Sequence, residues 1–334
     1  MRYVIYGAGG VGGIVGGKLQ MAGGDVVLIA RGAHLAALQS EGLKLKHPNP
    51  DATETLNIRA VGHPGEIEFR PDDVVLLTMK SQDTAAALDE LRYAAGGQVA
   101  VVCCQNGVEN ERLALRRFAN VYGMLVILPA SYQEPGVVET TSWPVTGLLD
   151  IGRYPEGTDA TAAAIAADLS GAGFISSVDA RIMRVKYTKL RENMINAIHA
   201  LLPPDADADD LLQMLRAETN ACFEAAGIDC ATTAEMMSRA AAMSSNVGGV
   251  GSSGWQWRGS STWQGMMRGT GNTETDYLNG EVVLLGRLHG VPMPANEVLT
   301  LLVDRVARRR LKPGGYSAED LRRLIAERAS SGRQ

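Results

Sequence analysis

Three glycines near the start of the chain have the spacing of a phosphate-binding turn. They lie in Gly7-Ala8-Gly9-Gly10-Val11-Gly12, directly after the strand pattern Arg2–Tyr6 and before a helical pattern. Glycine permits the tight turn, lets the backbone approach a pyrophosphate and allows the helix to pack closely, while amide groups at the helix N-terminus bind the anion. We therefore expect Gly7, Gly9, Gly10, Val11 and Gly12 to bind a dinucleotide; a glycine-rich turn without a ligand is the alternative.

The end of the second predicted strand indicates which dinucleotide binds. Residues 26–29 are followed by Ala30-Arg31-Gly32, with no carboxylate there to bind the adenosine ribose of NAD. A guanidinium at this position can pair with the 2′-phosphate of NADP through two parallel hydrogen bonds. The sequence therefore favours NADP(H), the alternative being that Arg31 is a solvated loop residue.

Two further predicted strands end in polar residues. Lys80 follows the strand pattern at 74–78, and Asn106 follows the one at 101–105. Because ligands of an open α/β sheet bind outside the carboxyl ends of its strands, we expect both side chains to face the dinucleotide crevice. Taken alone, a lysine at a strand end is more often a surface residue, and Asn-Gly is more often only a turn.

A lysine and two asparagines share one face of a predicted helix over residues 184–202. Lys189, Asn193 and Asn196 follow the i, i+4, i+7 spacing, and apolar residues recur on the other side. The alternative is a solvated polar face, but asparagine has poor helix propensity, which favours a role in reading hydroxyl groups of a ligand.

The elements that must position these residues alternate in the first half of the chain. Short apolar runs at residues 3–6, 26–29, 73–77, 99–103 and 121–128 are separated by helical patterns, which predicts a mostly parallel sheet. Strand-like stretches at 137–141 and 148–152 are expected to add antiparallel strands at its edge. We predict an α/β protein with a Rossmann-type domain at 1–178 and an all-helical domain at 179–334.

Composition excludes several classes of protein. A net charge of -5 over 334 residues gives no basic stripe for nucleic acid, and the arginines between 305 and 310 fit one solvated helix face. The sequence shows no pattern of the signal-peptide type and no run of about 18 apolar residues, so we expect a cytoplasmic protein without a membrane partner. Cys103, Cys104, Cys222 and Cys230 have no metal-ligand spacing and are expected to be reduced core residues. Either a monomer or a homodimer fits the helical pattern.

One segment of the second half is neither strand-like nor helical. Residues 244–272 are rich in Gly, Ser and Trp, and include Trp255, Trp257 and Trp263. Long loops inside compact domains are usually functional or disordered. The tryptophans indicate that part of this segment packs.

Taken together, these motifs resemble the ketopantoate reductase (2-dehydropantoate 2-reductase) family over nearly the whole chain. The matching residues are Gly7-Ala8-Gly9-Gly10-Val11-Gly12-Gly13, Ile29-Ala30-Arg31-Gly32, Met79-Lys80, Gln105-Asn106-Gly107, Glu134-Pro135-Gly136-Val137-Val138, Lys189-Leu190 with Asn193, and Thr273-Glu274-Thr275-Asp276-Tyr277-Leu278-Asn279-Gly280. As a set they are far more specific than the glycine motif alone.

The resemblance implies that the chain uses NADPH to reduce a small 2-oxo acid, with ketopantoate as the expected substrate. It implies that Lys189 is the general acid and that Glu274 orients the substrate or assists proton transfer. Ser261 would hold the substrate carboxylate, Asn193 and Asn196 its hydroxyl, while Lys80 and Asn106 would lie where nicotinamide and substrate meet. From the residues alone, Glu274 is equally a helix-capping residue, and Ser261 a linker serine.

The sequence departs from the family at the substrate end. The family's second asparagine lies eight residues after the lysine, where this chain has Ala197, and one extra residue separates Gln264 from Glu274. Two alternatives therefore stay open: an NADPH-dependent reductase of another 2-oxo acid or bulkier ketone, and an NADP-binding sensor without turnover. A sensor has no use for a general acid.

Overall fold

The computed structural model describes residues 1–48, 53–244, 260–269 and 271–331. Two compact units are present, the first from residues in Met1–Lys186 and Ala231–Val250, the second from residues in Tyr187–Cys230 and Gly251–Gln334. The first division falls inside a helix, Ile182–Glu192. The domain boundary that we place at residues 178 and 179 stays a prediction.

A mostly parallel sheet forms the centre of the first unit. Its strand order across the described residues is β11-β8-β7-β6-β1-β2-β5, and only β11 runs antiparallel to its neighbour. The strands are β1 (Arg2–Tyr6), β2 (Asp25–Ile29), β5 (Arg59–Val61), β6 (Asp73–Leu77), β7 (Ala100–Cys103), β8 (Val121–Met124) and β11 (Ile151–Arg153). The predicted α/β class and parallel sheet are confirmed.

Both faces of this sheet are buried, which explains why its strands are apolar at nearly every position. In β1, Tyr3 and Ile5 pack into the hydrophobic cluster on one face, and Val4 and Tyr6 into the cluster on the other. Successive side chains of a strand point to opposite faces, so a sheet covered on both sides needs continuous apolar runs.

A second, smaller sheet corrects one expectation. Its order is β4-β3-β10-β9, from β3 (Leu43–Lys46), β4 (Thr53–Leu56), β9 (Ala130–Glu134) and β10 (Val137–Thr140). The stretch at 137–141 was expected at the edge of the main sheet and instead pairs with β3 and β9, whereas the stretch at 148–152 leads into the edge strand β11 as expected. The physical reason is packing, because β10 contacts the helix after the glycine turn through the fully buried Val138.

The other long elements of the described residues are α-helices. Those of the first unit are α1 (Gly10–Met21), α2 (Gly32–Glu41), α3 (Ser81–Ala95), α4 (Asn110–Leu115), α5 (Ala160–Gly171) and α9 (Thr233–Ser244), while α6 (Ile182–Glu192) contains the division between the units. The second unit contains α7 (Ile195–Leu201), α8 (Asp209–Ala225), α10 (Ser261–Met267), α11 (Asn279–His289), α12 (Pro294–Arg308) and α13 (Ala318–Ser331). The helical character predicted for the second half is confirmed.

Several smaller expectations can be compared with the structure. Arg305 and Arg308 on α12 are exposed, as predicted for a solvated face. All four cysteines are free; three are buried and Cys230 is half-buried. Part of the segment at 244–272 was expected to be non-helical and instead forms α10 (Ser261–Met267); of its three tryptophans, Trp263 lies in this helix, and Trp255 and Trp257 lie outside the described residues. Among the described residues, no helix is long and apolar enough to cross a membrane.

Candidate coenzyme site and catalytic helix

The glycine turn is shaped by contacts that leave no room for side chains. Gly7 has a φ of +107°, and a Cβ there would lie 2.7 Å from the backbone nitrogen of Met79. A Cβ on Gly12 would overlap the carbonyl oxygen of Gly7 and the hydroxyl of Thr78. That hydroxyl donates a hydrogen bond to Gly7 O at 2.8 Å, so the turn and the first turn of α1 are held tightly against β6.

Gly9, unlike the enclosed Gly7 and Gly12, faces open space, which fits the dinucleotide that the sequence predicts. It is the N-cap of α1, its φ is -70°, and apart from its chain neighbours none of the described residues has an atom within 4 Å of an ideal Cβ. The first amide groups of a helix have no acceptor within the helix, so they are available to an anion at this point. Open space in front of the helix N-terminus is what the close approach of a pyrophosphate requires. The residues present therefore fit a dinucleotide.

His34 was not among the predicted site residues, although it binds the glycine turn directly. Its Nδ1 accepts a hydrogen bond from the Gly136 amide at 2.9 Å, so Nε2 carries the proton and donates to Ala8 O at 2.7 Å. Burial lowers the pKa of His34, which favours this neutral ring. His34 thus ties the glycine turn to the β9–β10 turn. A histidine on a short helix gives no sequence signal for such a contact.

Arg31 lies directly after β2, at the N-cap of α2, where the sequence places it. Its side chain is 66% exposed, and one guanidinium nitrogen lies 3.8 Å from Glu90 Oε2 on α3. This carboxylate is the second residue that sequence reasoning missed. It comes from a distant helix, so the sequence around β2 gives no sign of it.

Lys80 and Asn106 also lie at the carboxyl edge of the sheet, as predicted. Lys80 is the N-cap of α3 after β6, and Asn106 follows β7; both are half-buried. Asn106 Oδ1 is a buried acceptor without a hydrogen-bond partner among the described residues. The structure therefore brings the glycine turn, Arg31, Lys80 and Asn106 to one edge of the sheet.

A buried hydrogen-bond chain connects the two strand ends that carry Lys80 and Asn106. Gln105 Nε2 donates to Met79 O and to Thr84 Oγ1, both at 2.8 Å. The Thr84 hydroxyl donates to Asn110 Oδ1 at 2.9 Å, and Asn110 Nδ2 donates to Asn106 O at 3.2 Å. Because buried polar groups are costly to leave unpaired, this chain fixes the spacing of the two strand ends.

A buried ion pair fixes the start of α6, the helix that carries Lys189. Lys186 Nζ lies 2.9 Å from Glu111 Oε1 and donates to Gln105 O at 2.8 Å and Met124 O at 3.0 Å. Both side chains are at most 3% exposed, and burial raises the pKa of Glu111 although Lys186 opposes that shift. The sequence signal was available, because Lys186 precedes the buried Leu190 by four residues and so falls on the apolar stripe.

The prediction of one continuous helix over residues 184–202 is wrong at one point. It is divided into α6 and α7 by a turn at Asn193 and Met194. The Asn193 amide donates to Lys189 O at 2.9 Å and Leu190 O at 3.0 Å, and the Asn196 amide donates to Asn193 O at 2.9 Å. Hydrogen bonds to the third residue back tighten the chain locally, and asparagine has poor helix propensity.

The predicted apolar face survives this break, and the polar residues stay partly accessible. Leu190, Met194, Ile198, Leu201 and Leu202 are all buried. Lys189, Asn193 and Asn196 are half-buried, and Asn193 Nδ2 is a buried donor without a hydrogen-bond partner among the described residues. These three residues no longer share one continuous helix face, because Lys189 is on α6 and Asn196 on α7.

Ser261 and Glu274 lie at two helix starts of the second unit. Ser261 is the exposed first residue of α10, and the preceding Ser260 provides the cap by accepting from the Trp263 amide at 3.3 Å. Glu274 precedes a 3-10 helix at Thr275–Tyr277. Its side chain makes no capping hydrogen bond to this helix, so the alternative role as a helix cap is wrong here. Next to Ser261, the hydroxyl of the buried Thr262 has no hydrogen-bond partner among the described residues.

The fold and the glycine turn define a class: a two-domain protein of the dinucleotide-binding α/β type with a helical second domain. The sequence models described as Ketopantoate reductase PanE/ApbA and Ketopantoate reductase PanE/ApbA C terminal match residues 3–156 and 182–307. The chain belongs to the ketopantoate reductase family.

Individual relatives agree with this assignment. The 2-dehydropantoate 2-reductase of Pyrococcus abyssi is 32% identical over 203 residues, which are 60% of this chain and 64% of that protein. The chain thus spans a little under two thirds of this relative. The Halobacterium salinarum protein of the same name is 29% identical over 92% of this chain and 99% of its own length. A PanE/ApbA family ketopantoate reductase from Ralstonia eutropha JMP134 superposes with a TM-score of 0.78 at 28% identity, covering 93% and 99% of the two chains.

Two glycine substitutions separate the structural role of the turn from its binding role. Gly12→Ala inserts a methyl group into a filled space and is expected to lower the free energy of unfolding by about 1–3 kcal/mol. Gly9→Ala meets open space and is expected to cost less than about 1 kcal/mol, yet its methyl group obstructs the pyrophosphate. Coenzyme affinity should then fall by about tenfold or more, measured by calorimetric titration with NADPH.

Gly171→Ala is the matched control for both variants, because this glycine near the end of α5 also meets open space and lies outside the turn. It should change neither stability nor affinity. Unchanged NADPH affinity in the Gly9→Ala variant would exclude the turn as the pyrophosphate site.

Proposed function

We propose that the chain reduces a 2-oxo acid to the 2-hydroxy acid with NADPH, and that 2-dehydropantoate, which gives pantoate, is the substrate. The observation that carries the proposal is the glycine turn, where Gly7 and Gly12 are tightly enclosed and Gly9 is open in front of a helix N-terminus. Membership of the ketopantoate reductase family supports the substrate and the reaction class.

Arg31 supports NADPH rather than NADH as the preferred coenzyme. Arg31 lies between the end of β2 and the N-terminus of α2. Its exposed guanidinium is available to a phosphate dianion. Lys80 and Asn106 would bind at the nicotinamide end, where Asn106 Oδ1, which has no hydrogen-bond partner among the described residues, offers an acceptor to an amide.

Bound NADPH supplies the hydride that reduces the C2 carbonyl. Lys189 then acts as the general acid: its ammonium group donates a proton to the carbonyl oxygen as negative charge develops there, and is left as the neutral amine. Asn193 and Asn196 would bind the substrate hydroxyl, Ser261 its carboxylate, and Glu274 would orient it. The buried Nδ2 of Asn193 has no partner within the part of the chain that the structure describes, and is a donor suited to this task.

The substrate is tested by following NADPH oxidation at fixed concentrations of 2-dehydropantoate and a panel of other 2-oxo acids. We expect 2-dehydropantoate to have the highest kcat/KM. A bulkier acid that reacts while 2-dehydropantoate is inert would instead make the chain a reductase of different specificity, consistent with Ala197 in place of the family's asparagine. Absence of oxidation with every acid, despite NADPH binding, would favour the sensor and contradict the proposal.

Lys189→Ala tests the general acid. Removal of the proton donor is expected to lower kcat by about 10²-fold or more, with a smaller change in the KM for NADPH. Lys312→Ala, which removes an exposed lysine after α12, is the control and should retain full turnover. Turnover near that of the wild type in the Lys189→Ala variant would exclude this residue from proton transfer.

A further inference from the structure

Four side chains meet near the end of β2. One of them, Glu90, is negatively charged, although the sequence around Arg31 predicts a site without a carboxylate. Arg31 and His63 each approach the same oxygen of Glu90, at 3.8 and 3.6 Å. The hydroxyl of Tyr6, at the end of β1, donates to this oxygen at 2.7 Å. The local sequence contains no carboxylate after β2, yet the fold supplies one from α3.

Glu90 is held in place and is not a freely rotating surface residue. Tyr6 is only 3% exposed and lies in the core beneath the sheet, so its hydroxyl is a fixed donor. His63 is oriented by the Gly65 amide, which donates to its Nδ1 at 3.0 Å and leaves the protonated Nε2 facing Glu90 Oε2 at 3.6 Å. The carboxylate remains 40% exposed and thus accessible to a ligand.

A carboxylate at this place has opposite effects on the two nicotinamide coenzymes. It accepts hydrogen bonds from the ribose hydroxyls of NADH, which is the usual role of an acidic residue at the end of the second strand of such folds. It repels the 2′-phosphate of NADPH and competes with that phosphate for Arg31. The same residue therefore strengthens one complex and weakens the other.

We propose that Glu90 sets the coenzyme preference of this chain by supplying from α3 the carboxylate that is missing after β2. Arg31 favours NADPH, and Glu90 limits that preference and keeps NADH as a usable second coenzyme. This inference rests on the proposed function, because it requires a dinucleotide at the glycine turn.

The test compares the dissociation constants of NADPH and NADH for the wild type, Glu90→Gln and Asp89→Asn, each measured by calorimetric titration. Glu90→Gln keeps the size of the side chain and removes its charge. Asp89→Asn removes a charge from the adjacent residue of α3, which is 66% exposed and pairs with Arg117 instead. An Arg31→Ala variant reports on the phosphate contact itself.

We expect Glu90→Gln to raise the preference for NADPH over NADH by about fivefold, the size expected for a partly exposed charge, with tighter NADPH and weaker NADH binding. Asp89→Asn should leave the preference unchanged, and Arg31→Ala should weaken NADPH far more than NADH. If the wild type binds both coenzymes and Glu90→Gln has the same preference between them, this inference is overturned, while the proposed function is not. Failure of the wild type to bind either coenzyme overturns the proposed function as well, and is thus a distinct result.

Discussion

The first unit depends on a contact that only residues without side chains can make. The first turn of α1 packs so closely on the carboxyl end of β1 that a methyl group on Gly12 would overlap Gly7 O and the Thr78 hydroxyl. Farther along the helix, Gly13 lies where a Cβ would be 2.6 Å from Val138 of the second sheet, and Gly16 is similarly close to Leu28 and Ile5. This one packing requirement places the helix N-terminus, aligns it with the strand ends and gives the second sheet its support.

Buried polar groups hold the turns, strand ends and helix start that this glycine packing does not position. The neutral His34 joins the glycine turn to the β9–β10 turn, the chain from Gln105 to Asn110 joins two strand ends, and Lys186 with Glu111 fixes the start of α6. All of these groups are buried, where the removal of one partner is costly because it leaves an uncompensated polar atom. The residues that we propose bind the coenzyme are not enclosed in this way: Gly9 is open, Arg31 is exposed, and Asn106 Oδ1 has no partner among the described residues.

Local pattern predicted the central sheet and the glycine turn, because strand, turn and helix there are adjacent in sequence. It failed where distant segments decide the outcome. The pairing of β10 with β3 joins Val137 to Lys44, and no periodicity within either segment indicates it. Glu90 reaches the end of β2 from α3, so the conclusion that no carboxylate is present there holds for the sequence around Arg31 and not for the folded site.

The break at Asn193 was predictable in principle from helix propensity, but the strong apolar period on either side concealed it. Trp255 and Trp257 lie outside the described residues, so their predicted packing stays a prediction.

We propose that the glycine turn and Arg31 form one binding site for NADP(H). The most direct measurement is a crystal structure of the chain grown with NADP⁺. We expect the pyrophosphate to lie in front of Gly9, within hydrogen-bond distance of the amide groups that begin α1, and the 2′-phosphate to pair with the Arg31 guanidinium. Coenzyme bound away from this turn, or bound here with the 2′-phosphate turned away from Arg31, would contradict it.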